Sequence, residues 1–167
     1  MNRPMASHRR KRPLGGARPR PKPAVKEPQV KVDDRFRVLI AVHRPRYRSR
    51  AERAVDLPGW AVRSLLNKED PIGLMNQKPP HVLILSADFG RNKSLGFMKA
   101  AQKFRSDDMK IIGIFEDADE AGGAAELCDS AFSPPWKTLE LRALAAQMYA
   151  EIRGEAETAK RTASPSI

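Results

Sequence analysis

The chain has 167 residues and a formal net charge of +11, from 31 Lys and Arg residues against 20 Asp and Glu residues. This length suits one domain with tails. Residues 1–32 hold ten basic residues and one acidic residue, Glu27, so +9 of the net charge belongs to this segment. The rest of the chain is nearly neutral, which makes the basicity a property of a tail and not of a folded surface.

The cysteine and histidine content excludes several kinds of site. Cys128 is the only cysteine, which rules out an intramolecular disulfide and a Cys-rich zinc site and fits a reducing cytoplasm. The three histidines show no metal-ligand spacing, so no metal and no other cofactor is expected. No apolar run approaches the roughly 20 residues that span a bilayer, and none follows the basic N-terminus as in a signal peptide. We therefore expect a cytoplasmic protein without a membrane contact.

Residues 1–33 are rich in proline and poor in large apolar residues. Such a segment buries too little surface to offset its ordering entropy, so its composition predicts a disordered basic tail. Its charged run consists of Arg9, Arg10, Lys11 and Arg12. This run is suited to weak contact with nucleic acid through counterion release. A purely solubilising tail explains the same composition, and both interpretations stay open.

The remaining chain alternates short apolar runs with segments long enough for helices. Branched aliphatic runs bounded by turn formers predict strands, and amphipathic spacing or capping residues predict helices. The predicted strands are residues 36–42, 60–65, 82–85, 110–115 and 131–133. The predicted helices are residues 45–56, 71–78, 95–104, a short Ala/Gly-rich segment that ends at 127, and 138–153.

Three of the predicted strands are almost wholly apolar, which is typical of strands buried on both faces of a parallel sheet. Five strands that alternate with five helices predict an α/β fold with a flavodoxin-like, doubly wound, five-stranded parallel sheet. The predicted domain spans residues 34–153. Gly154 is predicted to end the last helix, and residues 154–167 are predicted to be a disordered C-terminal tail. Ligands of such folds bind at the carboxyl ends of the strands, so the chemistry is expected there.

Several segments resemble the receiver domain of two-component response regulators. Residues 38–48, VLIAVHRPRYR, resemble that family's first strand, acidic pair, proline and helix-opening arginine. Residues 78–86, KPPHVLILS, resemble its proline and its third strand up to the phosphoacceptor. Residues 133–136, SPPW, and the LEL at 139–141 resemble its lysine–proline turn and the start of its last helix. The resemblance covers nearly the whole predicted domain and implies a receiver-like fold in signal transduction.

The residues that carry out receiver chemistry do not match. Ser86 stands at the position of the phosphoacceptor aspartate, and Val42 and His43 stand at the acidic pair that holds Mg²⁺. Phe115 replaces the hydroxyl residue of the switch, and Pro134 replaces the lysine. Mg²⁺ requires hard oxygen ligands, and a serine without a neighbouring base or metal is a poor nucleophile. Phosphorylation-driven switching is therefore predicted to be lost, and no enzymatic activity is expected.

Two carboxylates offer a displaced acidic site. Asp88 lies two residues after Ser86, and Asp117 belongs to an acidic segment, residues 116–120, after the fourth predicted strand. With Asp88, this segment has the composition to bind a cation. Alternatively, Asp88 is a loop carboxylate and the acidic segment caps the helix that follows, at the positive end of its dipole. Ser86 is also a candidate target for a serine kinase.

The sequence favours a degenerate, phosphorylation-independent receiver-like module that acts by protein–protein contact in signalling or transcriptional control. The resemblance implies that a protein partner or a second copy binds the last helix and the loop after the fifth strand. Trp136 in that loop is either an exposed anchor for the partner or packs over the end of the sheet. The alternative function is a nucleic-acid-associated protein that binds through its basic N-terminal tail.

Overall fold

The computed structural model describes residues 35–91 and 95–163. The predicted N-terminal tail, with its basic run at residues 9–12, lies outside these residues. The elements follow in the order β1 (Phe36–Ala41), α1 (Pro45–Val55), β2 (Trp60–Ser64), α2 (Pro71–Gln77), β3 (Val82–Ser86), α3 (Gly96–Phe104), β4 (Lys110–Ile114), α4 (Ala118–Gly123), β5 (Ser130–Phe132) and α5 (Thr138–Ala163). No helix in this part of the chain combines the length and the apolar character needed to cross a membrane.

The five strands form one parallel sheet in the order β2-β1-β3-β4-β5. Phe36 lies opposite Trp60 at one edge, and Ile114 lies opposite Phe132 at the other. This is the doubly wound, flavodoxin-like arrangement that the sequence predicts, and the prediction is confirmed. The strand that follows β1 in the chain, β2, lies on one side of it, and the next strand, β3, lies on the other side. The topological switch point therefore lies between the carboxyl ends of β1 and β3.

β3 is the central strand and is buried along its whole length. Its side chains alternate between two cores, as the two-residue repeat of a strand requires. Val82 and Ile84 face the core beneath α1 and α5, whereas Leu83 and Leu85 face the core beneath α2 and α3. Full burial of each such side chain contributes roughly 1.5–3 kcal/mol. This strand therefore positions the layers on both sides of the sheet.

His81 fastens the amino end of β3 to β1. Its Nδ1 accepts a hydrogen bond from the Arg37 N–H at 2.8 Å, and its own N–H donates to the Arg37 carbonyl at 2.9 Å. The imidazole stacks on Phe36, with the ring centroids 5.1 Å apart. Burial lowers the pKa of His81 from its ordinary value of 6.5, and the charges of Arg37 and Arg153 lower it further. Because Nδ1 is an acceptor here, the neutral imidazole is the form that the fold holds.

Phe115 follows β4 and folds back over Gly113 of the same strand. It is 1% exposed and belongs to the core beneath α2 and α3. A Cβ atom at position 113 would lie 2.6 Å from Phe115 Cε2 and 3.0 Å from Met98 Cε. Side chains in a close-packed core do not tolerate such distances, so the glycine provides the space that the phenyl ring occupies.

The last helix departs from the prediction at its C-terminal end. The sequence predicts an end at Gly154, whereas α5 continues to Ala163. The prediction is wrong because a glycine inside a helix costs only about 1 kcal/mol relative to alanine. The residues that follow, EAETAKR, are mostly strong helix formers, which offset that cost. The segment predicted to be disordered, residues 154–167, is therefore helical as far as Ala163.

Trp136 packs over the end of the sheet and is not an exposed anchor. It is only 4% exposed, and the rings of Tyr47 and Phe132 lie 6.0 and 6.2 Å from its ring centroid. The Arg50 guanidinium lies over its face at 5.8 Å. The packing interpretation is confirmed and the exposed-anchor interpretation is wrong, because side chains from α1 and β5 surround the indole.

Candidate functional site

The carboxyl ends of β1, β3, β4 and β5 lie side by side. The row that they form is the edge of the sheet described below. The strand register places Ala41 opposite Leu85 and Ser86 opposite Ile114. The end of β5 lies beside Ile114 through its pairing with Phe132. The positions assigned from the sequence to a vestigial receiver site all lie at this edge: Val42, His43, Ser86, Phe115 and Pro134. The fold therefore gathers these positions, although the side chains there are not those of a phosphorylation site.

Ser86 ends β3 and is 4% exposed, and it is the only polar residue among the buried residues of the described chain. Its Oγ accepts a hydrogen bond from the His43 N–H at 2.9 Å. This bond ties the end of β1 to the end of β3. No side-chain base among the described residues is hydrogen-bonded to the hydroxyl, so nothing activates it as a nucleophile. Its burial also argues against the interpretation of Ser86 as a kinase target.

The two residues after β1 supply no oxygen ligand for a divalent cation. Val42 is fully buried in the core beneath α1 and α5, and His43 is half-buried and offers nitrogen. Mg²⁺ prefers hard oxygen ligands in an octahedral array. Among residues 35–91 and 95–163, no group of three His, Cys, Asp or Glu side chains is placed to hold a metal ion.

Phe115 and Pro134 bring non-polar groups to the remaining two positions. The Phe115 N–H donates to the Phe132 carbonyl at 2.8 Å, while its ring is enclosed by the core. Pro134 is exposed, and a cis peptide bond joins it to Pro135. Neither side chain can donate a hydrogen bond or a positive charge to an anion at this edge.

Arg44 is a residue of this edge that the sequence reasoning missed. Its Nη2 is bonded to Oε1 of Glu116, which follows β4. Its Nε lies 3.6 Å from Oδ2 of Asp88, which follows β3. Arg44 itself follows β1, so one guanidinium connects the ends of three strands. The signal was present in the sequence, because a parallel sheet places these three strand ends side by side and they carry one basic and two acidic residues.

The strength of the Arg44 contacts depends on their exposure. The side chains of Arg44 and Glu116 are 49% and 47% exposed, so solvent screens their attraction and the pair contributes about 1 kcal/mol at most. Asp88 is better shielded, with 17% of its side chain exposed. The contact supports the interpretation of Asp88 as a loop carboxylate whose charge an arginine balances.

The acidic segment, residues 116–120, caps α4. Asp117 Oδ1 accepts a hydrogen bond from the Glu120 N–H at 2.7 Å, and Glu120 Oε2 accepts one from the Glu116 N–H at 2.9 Å. A pocket of about 340 Å³ is lined by Asp88 and the carboxylates of this segment. Two of these carboxylates are engaged in the cap and two in contacts with Arg44. The helix-capping interpretation of the segment is therefore confirmed.

Comparison with known proteins identifies the fold. Neither a protein-family model nor a curated protein matches the sequence. Among solved structures, NtrX from Brucella abortus superposes with a TM-score of 0.62 at 14% identity, over 78% of this chain and 30% of that chain. The signal receiver domain of a protein described as a LuxO repressor, from Vibrio parahaemolyticus, superposes with a TM-score of 0.61 at 13% identity. The match covers 74% of this chain and 97% of that chain. An orphan response regulator of H. pylori superposes with a TM-score of 0.53 at 18% identity, and the match covers 70% of this chain and 96% of that chain.

The fold is that of a response-regulator receiver domain. The resemblance inferred from residues 38–48, 78–86 and 133–136 is thus confirmed for the fold. Identities below 20% establish nothing further, and the chain corresponds to less than a third of the NtrX chain. His43 and Ser86 are among the positions that the sequence resemblance assigns to a vestigial receiver site, and Arg44 follows His43 at the same edge.

We predict that Ser86→Ala lowers the free energy of unfolding by about 1–3 kcal/mol, because the His43 N–H loses its acceptor at a largely buried position. Urea denaturation followed by circular dichroism measures the change. The matched control is Ser106→Ala, at an exposed turn, which is expected to change stability by less than about 0.5 kcal/mol. Equal effects of the two substitutions would show that the Ser86 hydroxyl does not hold the strand ends together.

Proposed function

We propose that this protein is a degenerate receiver-like signalling module that works without phosphorylation and acts by protein–protein contact. The observation that carries the proposal is the buried Ser86 hydroxyl, bonded to the His43 N–H at the phosphoacceptor position of a receiver fold. A phosphoacceptor must attack a phosphoryl donor, and a serine without a base or metal is poorly suited to do so. In this proposal Ser86 is a structural residue that closes the end of the site.

The surrounding positions support the same conclusion. Charge on a transferring phosphoryl group has to be balanced by metal ions or by basic side chains. Val42 and Pro134 provide neither, and His43 is not an oxygen ligand. The ring of Phe115 is enclosed over Gly113 and carries no hydroxyl group that could bond to a phosphoryl oxygen.

Arg44 links the start of α1 to the acidic residues of this edge. Its guanidinium contacts the carboxylates of Asp88 and Glu116, which follow β3 and β4, and offsets one of their two negative charges. Part of the negative charge at this edge is therefore offset by the protein itself. In the proposed module, a signal is conveyed by binding a partner and not by a change of charge at the strand ends.

We predict that the full chain acquires no phosphoryl group when it is incubated with acetyl phosphate and Mg²⁺, because a nucleophilic carboxylate and its metal ligands are missing. Intact-mass spectrometry measures the outcome. A receiver domain with a complete acidic pair and phosphoacceptor aspartate, treated in the same way, is the positive control. Stoichiometric phosphorylation at Ser86 or Asp88 would contradict the proposal.

The proposed partner surface is the outward side of α5 together with the loop after β5, residues 133–137. Leu139, in the first turn of α5, is 70% exposed, more than any other large hydrophobic residue of the described chain. Exposed alanines continue its stripe at intervals of three or four residues, at Ala143, Ala146 and Ala150. A continuous apolar stripe of this kind suits a helix of a partner protein or the same helix of a second copy.

We predict that Leu139→Ser weakens association by about tenfold, because an exposed apolar anchor at a helix interface contributes roughly 1–2 kcal/mol. Sedimentation velocity of the full chain measures self-association, and quantitative pull-down measures binding to a partner protein. Phe104→Ser, at the exposed end of α3, is the matched control, since that side chain is 50% exposed and lies outside the proposed surface. Equal association of the two variants would rule out the α5 surface.

The charge distribution favours a second candidate function, contact with nucleic acid through the tail. Residues 1–32 concentrate +9 of the net charge, with the run Arg9–Arg12 as its densest part. We predict that deletion of residues 1–33 removes any affinity for duplex DNA and its salt dependence, because counterion release drives such binding. Fluorescence anisotropy at two salt concentrations measures both. Unchanged affinity after the deletion would exclude the tail as the binding element.

A further inference from the structure

A pocket of about 740 Å³ opens at the carboxyl ends of β1 and β2. It lies between the first turn of α1, the loop after β2 and the loop after β3. Its lining contains three basic side chains and no carboxylate, in contrast to the acidic pocket beside α4. The lining residues are His43, Arg44, Pro45, Arg48, Leu66, Asn67, Lys68 and Gly90. We call this the basic pocket.

Much of the positive charge in the basic pocket is not neutralised by the protein. Arg44 is paired with Asp88 and Glu116. Arg48 and Lys68, by contrast, form no ion pair with any residue that the structure describes. Two unpaired cations on one concave surface produce a positive potential that favours an anionic ligand.

The start of α1 adds to this potential. The helix is 11 residues long, its N-cap residue Arg44 makes no side-chain capping bond, and its first turn contains no acidic residue. Pro45 occupies the first turn and has no N–H to donate. Arg44 and Pro45 line the pocket, so the positive end of the helix dipole lies beside it without a side-chain cap, an arrangement that suits phosphate.

Two buried polar atoms of the pocket lining provide an independent indication of a ligand. Four side-chain atoms of the described residues are buried without a hydrogen-bond partner: His43 Nδ1, Asn67 Oδ1, Gln102 Oε1 and Trp136 Nε1. Buried polar atoms are nearly always paired, and two of these four belong to residues that line the basic pocket. An imidazole can donate from Nδ1, and the Asn67 amide offers N–H donors after a half-turn of the side chain. His43 therefore has donor capacity that the protein does not use, and Asn67 offers a donor at the same point only in the turned orientation of its amide.

We propose that the basic pocket binds the phosphate group of a small ligand. Arg48 and Lys68 would bind the phosphate oxygens beside the start of α1, with His43 and Asn67 as further donors. Leu66, which is 63% exposed, forms a non-polar wall that suits an organic group attached to the phosphate. The volume lies within the range of small-molecule sites, and the pocket adjoins the end of β1, next to the switch point between β1 and β3 where doubly wound sheets bind ligands.

The test is an amide NMR titration of the full chain with inorganic phosphate and with adenosine monophosphate, at constant ionic strength. Adenosine is the uncharged control. Saturable shifts of the amides of Arg46, Asn67 and Gly90 with both phosphates, and none with adenosine, are the expected result. Tighter binding of adenosine monophosphate identifies a phosphate ester that contacts the Leu66 wall, whereas equal binding identifies free phosphate as the ligand. Shifts confined to residues 1–33, or equal shifts with adenosine, would overturn the proposal.

Two substitutions locate the binding to the pocket. Arg48→Ala and Lys68→Ala are each expected to raise the dissociation constant about tenfold, since each removes a charge-assisted hydrogen bond to phosphate. Lys137→Ala is the matched control, because Lys137 is an exposed lysine that follows β5, the outer strand on the other side of the sheet from β2. Lys68 is also exposed, so its replacement leaves the core intact. An unchanged dissociation constant for the Lys68 variant would overturn the assignment.

Discussion

The burial of β3 on both faces is the constraint on which the rest of the molecule depends. Val82 and Ile84 require a cover of helices on one side, and Leu83 and Leu85 require one on the other. A strand buried in this way also needs a neighbour on each edge, which β1 and β4 provide through parallel pairing. The end of β3 at Ser86 is thereby held beside the ends of its neighbours. The same apolar burial that builds the fold determines which residues meet at the site.

The sheet and the location of the site could be predicted from the sequence because their signals are local. Apolar runs mark the strands, and Asp70 before Pro71 marks the start of α2, where its carboxylate accepts the Ile72 N–H at 2.9 Å. The partners of individual side chains could not be predicted in this way. Arg44 meets Asp88 and Glu116 only because three strand ends converge. Gly154 is a local signal for a helix end, but the high helix propensity of the residues after it lets α5 continue to Ala163.

Arg44 divides the edge of the sheet into two regions of opposite charge. It lines the basic pocket, and its guanidinium contacts Asp88 and Glu116, which line the acidic pocket. A receiver that is phosphorylated has to gather carboxylates, metal and phosphate at one point. In this chain four of the five carboxylates that line the acidic pocket are engaged by the α4 cap or by Arg44, and the unpaired cations line the other pocket. The fold thus has the shape of a receiver, while the charges at the strand ends are divided between internal contacts and the basic pocket.

Amide NMR of the full chain with Mg²⁺ and beryllofluoride, a phosphoryl mimic, tests the central claim most directly. A module that works without phosphorylation shows no Mg²⁺-dependent shifts at the amides of Ser86, Ala87 and Phe115, because its ligands for metal and phosphoryl groups are absent. Localised, saturable shifts at these amides that require both Mg²⁺ and beryllofluoride would contradict this claim. They would show that the edge of the sheet still recognises a phosphoryl group.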